Sequence, residues 1–384
     1  MLKRMKTSPG KSKIVVGMSG GVDSSLTAAL LAKQGHDVLG VYMENWTDAG
    51  VVHGCASWPQ DRRDAAAVAK HLKIPFKAVD FEKEYRARVI EYFFAEYSAG
   101  RTPNPDVLCN REIKFGVLLE WARKHGYDFV ATGHYARIET PTKGGSPKLL
   151  RGVDRTKDQS YFLCQLSRQQ LERAMFPLGD QTKRWVRAEA ARRKLSVAKK
   201  PDSQGLCFVG QIDLPEFLQT RIKPQPGDVV TLDGEVLGEH QGAAFYTVGQ
   251  RRGVGVTRPV PMYVLGTDLE RNEVIVGYER ELYAEKIETE KPHWVAGRLP
   301  RPLWHGRTGR YDVAIRYRME PAPAKVTAGP KGLQIAFDEA QRGSTPGQFA
   351  VLYDGEELVG SAVILGNPLV AKRSKSRAKT VAAV

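Results

Sequence analysis

The segment 13–35, KIVVGMSGGVDSSLTAALLAKQG, constrains the fold more than any other part of the chain. A β-branched run is followed by a loop of small residues, SGGVDSS, and then by a helical pattern that ends near Gly35. A helix that begins directly after such a loop points several backbone N–H groups, and the positive end of its dipole, at one spot. We therefore expect the loop to bind phosphate, although it lacks the lysine of a Walker-type loop. The alternative is a simple strand-to-helix turn rich in small residues.

Strand-like and helix-like segments alternate from residue 13 to about residue 137. The strand-like runs are KIVVGM, DVLGVYM, PFKAVDF and YDFVATGHYARI, and helical patterns lie around 22–34, 60–73, 82–98 and 111–125. This alternation predicts an α/β fold with a doubly wound parallel sheet that carries helices on both faces.

The composition changes further along the chain and predicts several domains. A mainly helical, basic extension follows the α/β domain, and from about residue 224 short alternating strands with turn signals such as LDGE and YDGEE predict small β domains. We place the units at 1–12 (basic tail), 13–150 (α/β domain), 151–222 (helical extension), 223–280 (small β domain), 281–368 (β-barrel) and 369–384 (basic tail).

The charge of the chain favours a polyanionic partner. Lysine and arginine number 58 against 43 acidic residues, which gives a formal charge of +15. A solvated basic surface would produce the same total, but part of the excess is concentrated in the helical extension, at Arg184, Arg187, Arg192, Arg193, Lys194, Lys199 and Lys200. No apolar run approaches the roughly 20 residues that span a bilayer, and no secretory signal begins the chain, so we expect a cytoplasmic protein with no membrane role.

The four cysteines, at positions 55, 109, 164 and 207, form no C-x-x-C pair. This spacing favours neither a zinc site nor a disulfide scaffold, so any disulfide would be transient and catalytic. The ordinary alternative for each cysteine is a small buried hydrophobic residue, and this is what we expect of Cys164 in SYFLCQL.

The string SGGVDSS resembles the signature of the PP-loop ATP pyrophosphatases, which cleave ATP between the α- and β-phosphates and adenylylate a substrate oxygen. The resemblance explains the missing lysine, because a Walker loop uses that residue for terminal phosphoryl transfer. ATP is the implied cosubstrate, with Mg²⁺ expected on its phosphates and no dedicated protein metal site. The implied nucleotide-binding residues are Gly17, Met18, Ser19, Gly20, Gly21, Val22, Asp23, Ser24, Met43 and Gly133.

Two other segments indicate which of the PP-loop families this sequence resembles. TPNPDVLCNREIKFG (102–116) and KPDSQGLCFVG (200–210) closely resemble segments of the tRNA 2-thiouridylase family, which thiolates the wobble uridine. ATGHYAR, KDQSYFL, FYTVGQRRG and AIRYR also match that family in order, so the resemblance extends over roughly residues 13 to 366. It implies a monomeric ATP-dependent sulfurtransferase. The implied partners are the anticodon loop of tRNAs of the Lys, Glu and Gln type and a persulfide donor such as a cysteine desulfurase or a sulfur-relay protein.

The resemblance also implies roles for individual residues. Cys207 would carry a persulfide, Cys109 would be the attacking thiolate, and Asp106 would act in acid–base chemistry. Asn104, Pro105 and Asp106 match the target-base segment, and tRNA-contact positions match Lys157, Asp158, Gln159, Arg316 and Tyr317. Simpler structural roles stay open: Asp106 as a helix N-cap, Arg316 as a solvated strand residue and Tyr317 as a core aromatic.

Two other functions stay open at this stage. One is a PP-loop ligase or amidotransferase that acts on a small metabolite, against which the basic extension and the cysteine pair argue. The other is a non-catalytic RNA-binding protein with a degenerate nucleotide fold, against which the intact SGGVDSS string argues.

Overall fold

The computed structural model describes residues 10–46, 58–141, 145–202, 213–370 and 373. The strands of the first half of the chain are β1 Lys13–Gly17, β2 Asp37–Glu44, β3 Phe76–Asp80, β4 Phe129–Ala131, β5 Ala136–Glu139, β6 Lys148–Arg151 and β7 Ala174–Met175. Five of them form a parallel sheet in the order β3-β2-β1-β4-β7. The order reverses between β1 and β4, and the carboxyl ends of strands at such a switch point form the usual ligand crevice.

The helices are α1 Val22–Lys33, α2 Trp58–Leu72, α3 Glu82–Tyr85, α4 Glu91–Ser98, α5 Pro105–Leu108, α6 Leu118–Lys124, α7 Arg168–Leu171, α8 Lys183–Arg192 and α9 Leu214–Gln219. Two π-helical segments, Arg86–Ile90 and Cys109–Val117, join α3 to α4 and α5 to α6. The chain is therefore helical without a break over 82–98 and over 105–124. The second of these begins six residues before the predicted start at 111, because Asn104 and Pro105 supply a helix N-terminus there.

Helices cover both faces of the parallel sheet, as the doubly wound prediction requires. Ile14 and Val16 pack with α1 and α8, whereas Val15, between them, packs with α4 and α6 on the opposite face. Successive side chains of a strand point to opposite faces, so a strand that is apolar at every position is buried on both. This explains the unbroken apolar run of β1.

The segment YDFVATGHYARI, predicted as one strand, is divided between two sheets. β4 belongs to the parallel sheet, whereas β5 pairs antiparallel with β6 and leaves that sheet. The break falls at Gly133, where a Cβ atom would lie 2.8 Å from the backbone of Asp23 and Ser24. The chain passes so close to the first turn of α1 there that only glycine fits.

The stretch 151–222 contributes more than helices. It holds α7, α8, α9 and a 3-10 turn, Ser160–Leu163, but also the edge strand β7. Val186 and Ala190 of α8 are buried in the same core as Leu26 of α1. Much of this stretch is therefore built onto the parallel sheet.

A second sheet contains β8 Gly227–Thr231, β9 Val236–His240, β10 Tyr263–Asp268 and β11 Glu273–Gly277. Its order is β10-β11-β8-β9, and only the β11–β8 pair is parallel. Val229 and Val274 are buried on one side, and Val230 and Ile275 on the other. This is a small β unit with its own core.

The last strands are β12 Tyr283–Glu288, β13 His293–Trp294, β14 Thr308–Ala314, β15 Ala322–Ala328, β16 Leu333–Arg342, β17 Phe349–Asp354 and β18 Glu357–Val363. Six of them follow the order β12-β16-β15-β14-β17-β18, and a bridge between Thr289 and Ile364 joins the first to the last. The sheet is thus closed into a barrel. β18 also pairs with β6 through Leu358 and Leu149, which attaches the barrel to the first unit.

None of the helices in the described ranges is long and apolar enough to cross a membrane.

Candidate functional site

The loop SGGVDSS connects the end of β1 to the start of α1. The Met18 N–H donates to the Val41 carbonyl oxygen (2.8 Å), and the Ser19 N–H donates to the Ser24 hydroxyl (3.1 Å). The hydroxyl of Ser25 donates to the carbonyl of Gly21, the N-cap of α1 (2.8 Å). The first N–H groups of a helix have no acceptor within the helix. Those of α1 therefore point at the crevice between β1 and β4 and can receive an anion.

Gly20 can only be glycine in this geometry. Its φ is +73°, and a Cβ atom there would lie 2.2 Å from the Asp61 carbonyl oxygen on α2. Gly21 has φ −95° and would bring a Cβ no nearer than 3.6 Å to the Ser19 hydroxyl. Glycine thus occupies the two positions for different reasons: Gly20 allows a left-handed turn packed against α2, and Gly21 is the N-cap of α1.

The other expected nucleotide residues lie around the same loop. Gly133 follows β4 and touches the first turn of α1. Met43 lies near the end of β2, buried, with its methyl group 3.6 Å from where a Gly17 Cβ would be. The structure therefore gathers Gly17, Met43, Gly133 and the loop at the carboxyl ends of three adjacent strands.

His134, next to Gly133, is buried. Its Nδ1 lies 2.7 Å from the Thr132 hydroxyl, and its ring packs against Phe115 and Phe176. Burial, with a smaller contribution from the Lys114 ammonium, lowers the pKa of His134 well below its usual value. The imidazole is therefore neutral at pH 7.

Asp23, in the first turn of α1, holds the centre of a polar network. Its carboxylate accepts from the Lys183 ammonium (2.9 and 2.7 Å) and from the Tyr135 hydroxyl (2.8 Å). Lys183 also forms an ion pair with Asp202 at 2.8 Å. Lys183, for which the sequence predicted no role at the nucleotide site, thus lies beside the lysine-free loop.

A second lysine reaches the loop from the other side. The Lys200 ammonium donates to the Gly20 carbonyl oxygen (3.1 Å) and to Asp61 (2.6 Å), and it also pairs with Asp64. Its ion pairs bind the stretch before residue 203 to α2 and to the loop.

The helix that begins at Pro105 carries the expected target-base segment. The Asn104 side chain caps it by accepting from the Val107 N–H (3.3 Å), so Asn104, and not Asp106, is the N-cap. Asp106 lies in the first turn, partly exposed, and Cys109 follows one turn later with its side chain fully buried. The two residues thus lie on one continuous helix, one turn apart. Cys207 lies outside the described residues.

The comparisons with known proteins agree over most of the chain. Residues 12–211 match the family model described as tRNA methyl transferase HUP domain, 215–278 the tRNA methyl transferase PRC-barrel domain, and 284–364 the aminomethyltransferase beta-barrel domain. The chain is 46% identical over 363 residues to the tRNA-specific 2-thiouridylase MnmA of Enterococcus faecalis, covering 92% of this chain and 95% of that protein. The enzyme of the same name from Streptococcus thermophilus is 45% identical over 368 residues, covering 93% and 96%.

The chain belongs to the tRNA-specific 2-thiouridylase family.

Solved structures resemble this 2-thiouridylase family member at a lower level. NMN synthetase from Francisella tularensis is 16% identical, with a TM-score of 0.32, over 55% of this chain and 76% of that one. A predicted subunit of tRNA methyltransferase from Methanocaldococcus jannaschii is 20% identical, with a TM-score of 0.30, over 47% and 75%.

The positions that match tRNA contacts in the 2-thiouridylase family lie in two neighbouring turns. Tyr317 packs on Phe162 with ring centroids 4.1 Å apart, so it is neither in a strand nor in the barrel core. Arg316 beside it is exposed. The structure thus brings the turn at 316–317 next to the segment 157–163.

Within that segment, all three matching residues are bonded to other parts of the protein. The Asp158 carboxylate accepts from Arg151 (3.0 Å) and from the Gly152 N–H (2.9 Å), and the Gln159 side chain accepts from the Tyr135 N–H (3.0 Å). Lys157 forms an ion pair with Asp202 at 2.9 Å.

Part of the basic stretch is also internally paired. Arg187 pairs with Asp202, and Arg192 and Arg193 both pair with Glu189, whose pKa they lower to about 2. These arginines therefore serve the fold, and the unpaired positive surface is smaller than the sequence suggests.

Proposed function

We propose that this chain catalyses the ATP-dependent 2-thiolation of the wobble uridine of tRNA. The observation that carries the proposal is the match of nearly the whole chain, at 45–46% identity, to relatives named tRNA-specific 2-thiouridylase. The position of the SGGVDSS loop at the sheet's switch point, and the shared helix of Asp106 and Cys109, support it.

The first half of the reaction activates the uracil. Its O2 attacks the α-phosphorus of ATP, pyrophosphate leaves, and the base carries an O-AMP group. The N–H groups at the start of α1 suit the departing pyrophosphate, because they present positive dipoles that need no reorganisation. Met43 and Gly133 border the same crevice. Mg²⁺ would neutralise phosphate charge from the nucleotide's side, since the described residues contain no group of three or more His, Cys, Asp or Glu side chains that could hold a metal.

The second half replaces oxygen by sulfur. The terminal sulfur of a persulfide on Cys207 bonds to C2, and AMP leaves with the original oxygen. The Cys109 thiolate then attacks the inner sulfur of the adduct, which releases the 2-thiouridine and leaves a Cys109–Cys207 disulfide. In a variant of this path the sulfur leaves as sulfide before it reaches C2. An external thiol reductant supplies the two electrons that regenerate both cysteines.

Two features of the helix fit these roles. Asp106, one turn before Cys109 and partly exposed, is placed to exchange a proton with the base or with the thiol. The Cys109 thiol is fully buried in this structure, so it must become accessible before it can react. We infer that binding of the tRNA brings about this opening.

The proposed RNA contacts follow from the same geometry. Lys157 and Arg316 belong to adjacent turns that Phe162 and Tyr317 hold together. An anticodon-loop nucleotide is cheap to extrude toward such a site, because it is not held in a duplex. We propose tRNAs of the Lys, Glu and Gln type as substrates, a cysteine desulfurase or sulfur-relay protein as the donor, a monomeric protein, and the cytoplasm as the location.

The two-cysteine mechanism is tested by three single variants assayed with unmodified tRNA, ATP and a persulfide donor. Cys109→Ser and Cys207→Ser should each abolish thiolation while tRNA binding stays nearly intact. Cys164→Ala is the control, because Cys164 is buried and burial raises its pKa to about 12, which leaves it as the inert thiol. Full activity of either serine variant would contradict the mechanism.

A further inference from the structure

The lysine that the phosphate loop lacks is supplied from another part of the chain. The Lys183 ammonium lies 2.7 Å from one Asp23 oxygen and 2.9 Å from the other, and 2.8 Å from Asp202. Its side chain is only 12% exposed. It also lies 5.7 Å from the centre of the Tyr135 ring. A nearly buried cation is thus fixed against the first turn of α1.

The position of Lys183 in its own helix requires an explanation. It is the first residue of α8, after the Thr182 N-cap, where the positive end of the helix dipole disfavours a cation. Asp23 and Asp202 offset this cost in the structure. Lys183 thus occupies an unfavourable helix position beside the loop expected to receive phosphates. This arrangement is explained if a more highly charged anion replaces one of the two carboxylates, Asp202, in the working enzyme.

Asp202 is shared among several cations and can release one of them. Besides Lys183, it pairs with Lys157 at 2.9 Å and with Arg187 at 2.8 Å. Lys183 and Lys157 lower the pKa of Asp202 to about 2 against the opposing effect of burial, so the carboxylate is ionised at any physiological pH. If Lys183 moves away, Asp202 keeps two positive partners. The exchange of Lys183 toward a phosphate therefore leaves no carboxylate isolated.

We propose that Lys183 is a nucleotide-specificity residue whose ammonium leaves Asp202 and binds the pyrophosphate portion of ATP at the start of α1. This inference rests on the proposed use of ATP by the loop. In this role Lys183 replaces the Walker lysine in function but comes from α8, far along the chain. Asp202 is the competitor that holds the ammonium when no pyrophosphate group is bound.

The test compares three ligands: α,β-methylene-ATP, which cannot be cleaved at the relevant bond, inorganic pyrophosphate, and AMP. Their affinities are measured by calorimetry with Mg²⁺ for the full-length protein and its variants. Lys183→Met should weaken α,β-methylene-ATP and pyrophosphate by about 10- to 150-fold, the range for one lost charge-assisted bond, and leave AMP unchanged. Lys183→Arg should recover most of the loss, because it keeps the charge.

Two further variants test the competition by Asp202 and control for the loss of a positive charge elsewhere on α1. Asp202→Asn removes the competitor but keeps Lys183, so it should tighten α,β-methylene-ATP by about two- to fivefold. Lys33→Met removes an exposed lysine at the far end of α1 and should change no affinity. Unchanged α,β-methylene-ATP binding by Lys183→Met, parallel loss of AMP and α,β-methylene-ATP, or weaker binding by Asp202→Asn would each overturn the inference.

A separate arm distinguishes failure of this inference from failure of the proposed function. The unaltered protein is incubated with unmodified tRNA, ATP and a persulfide donor, and the tRNA is analysed for 2-thiouridine. Absence of the product would count against the proposed function, whereas the affinities of the variants decide the role of Lys183 in either case.

Discussion

Replacing Gly20 by alanine should disrupt the phosphate loop, and replacing Gly21 should not. A Cβ at position 20 would lie 2.2 Å from the Asp61 carbonyl oxygen, whereas carbon and oxygen atoms rarely approach within about 3 Å, so the loop or the first turn of α2 must move by roughly 1 Å. The φ of +73° adds about 1–2 kcal/mol for any residue with a side chain. At position 21 neither problem exists, since φ is −95° and the nearest atom is 3.6 Å away.

The expected cost of Gly20→Ala is about 2–4 kcal/mol, the sum of the backbone strain and the displacement of packed backbone. For a unit of about 200 residues this lowers the melting temperature by roughly 4–16 °C. Gly21→Ala should cost only about 1 kcal/mol, because alanine is a poorer N-cap than glycine but meets no steric contact there. Differential scanning calorimetry of the nucleotide-free proteins measures both. Equal melting temperatures for the two variants would refute the geometric reasoning.

Two other predictions concern the surroundings of the site. Burial holds the pKa of His134 well below the ordinary histidine value of about 6.5. Below pH 6.5 the unfolded chain therefore binds a proton that the folded chain does not. The stability is fully present above pH 6.5 and falls toward pH 5 by up to about 2 kcal/mol. His134→Asn should flatten this slope in urea titrations, and the exposed control His305→Asn should keep it; identical slopes would contradict the assignment. The Gln348 side chain, beside the barrel, donates to the carbonyl oxygens of Thr102 and Pro103, just before the helix of Asp106 and Cys109. Gln348→Ala should therefore lower the thiolation rate several-fold without changing the KM for ATP. A raised KM with an unchanged rate would be the contrary result.

The parallel sheet was predictable because each of its strands and helices is determined mainly by residues that are neighbours in the sequence. The apolar run of β1, the small residues of the loop and the glycine after α1 each impose one conformation on a few neighbouring residues. The same is true of Asp106 and Cys109, which the helical period brings to one helix. For these elements the pattern and the fold agree.

The elements that the sequence did not predict depend on contacts distant in the chain. β7 has only two residues, and it exists because β4 offers a free edge. The strand predicted over 127–138 divides at Gly133, where the chain touches the first turn of α1, and its second part pairs with β6 instead. No pattern of neighbouring residues predicts either strand β7 or this division.

The polar network around Asp23 is the feature that the sequence predicted least, because its members are far apart in the chain. Lys183 and Asp23 are 160 positions apart, and a lysine within a basic stretch looks like any solvated residue. Its only local signal was its place directly after Thr182, at a helix start that disfavours a cation. The charge of the basic stretch favours a polyanionic partner, yet Arg187 and Lys200 are paired with carboxylates.

The central claim is that one active site couples cleavage of ATP at the α-phosphate to the replacement of O2 by sulfur. The most direct measurement incubates the purified chain with unmodified tRNA, α-labelled ATP and a persulfide donor, then quantifies nucleosides by mass spectrometry and nucleotides by chromatography. We predict 2-thiouridine at the wobble position, with one AMP and one pyrophosphate for each thiolated base. ADP and phosphate as products, or AMP formed while the wobble uridine keeps its oxygen, would contradict the account.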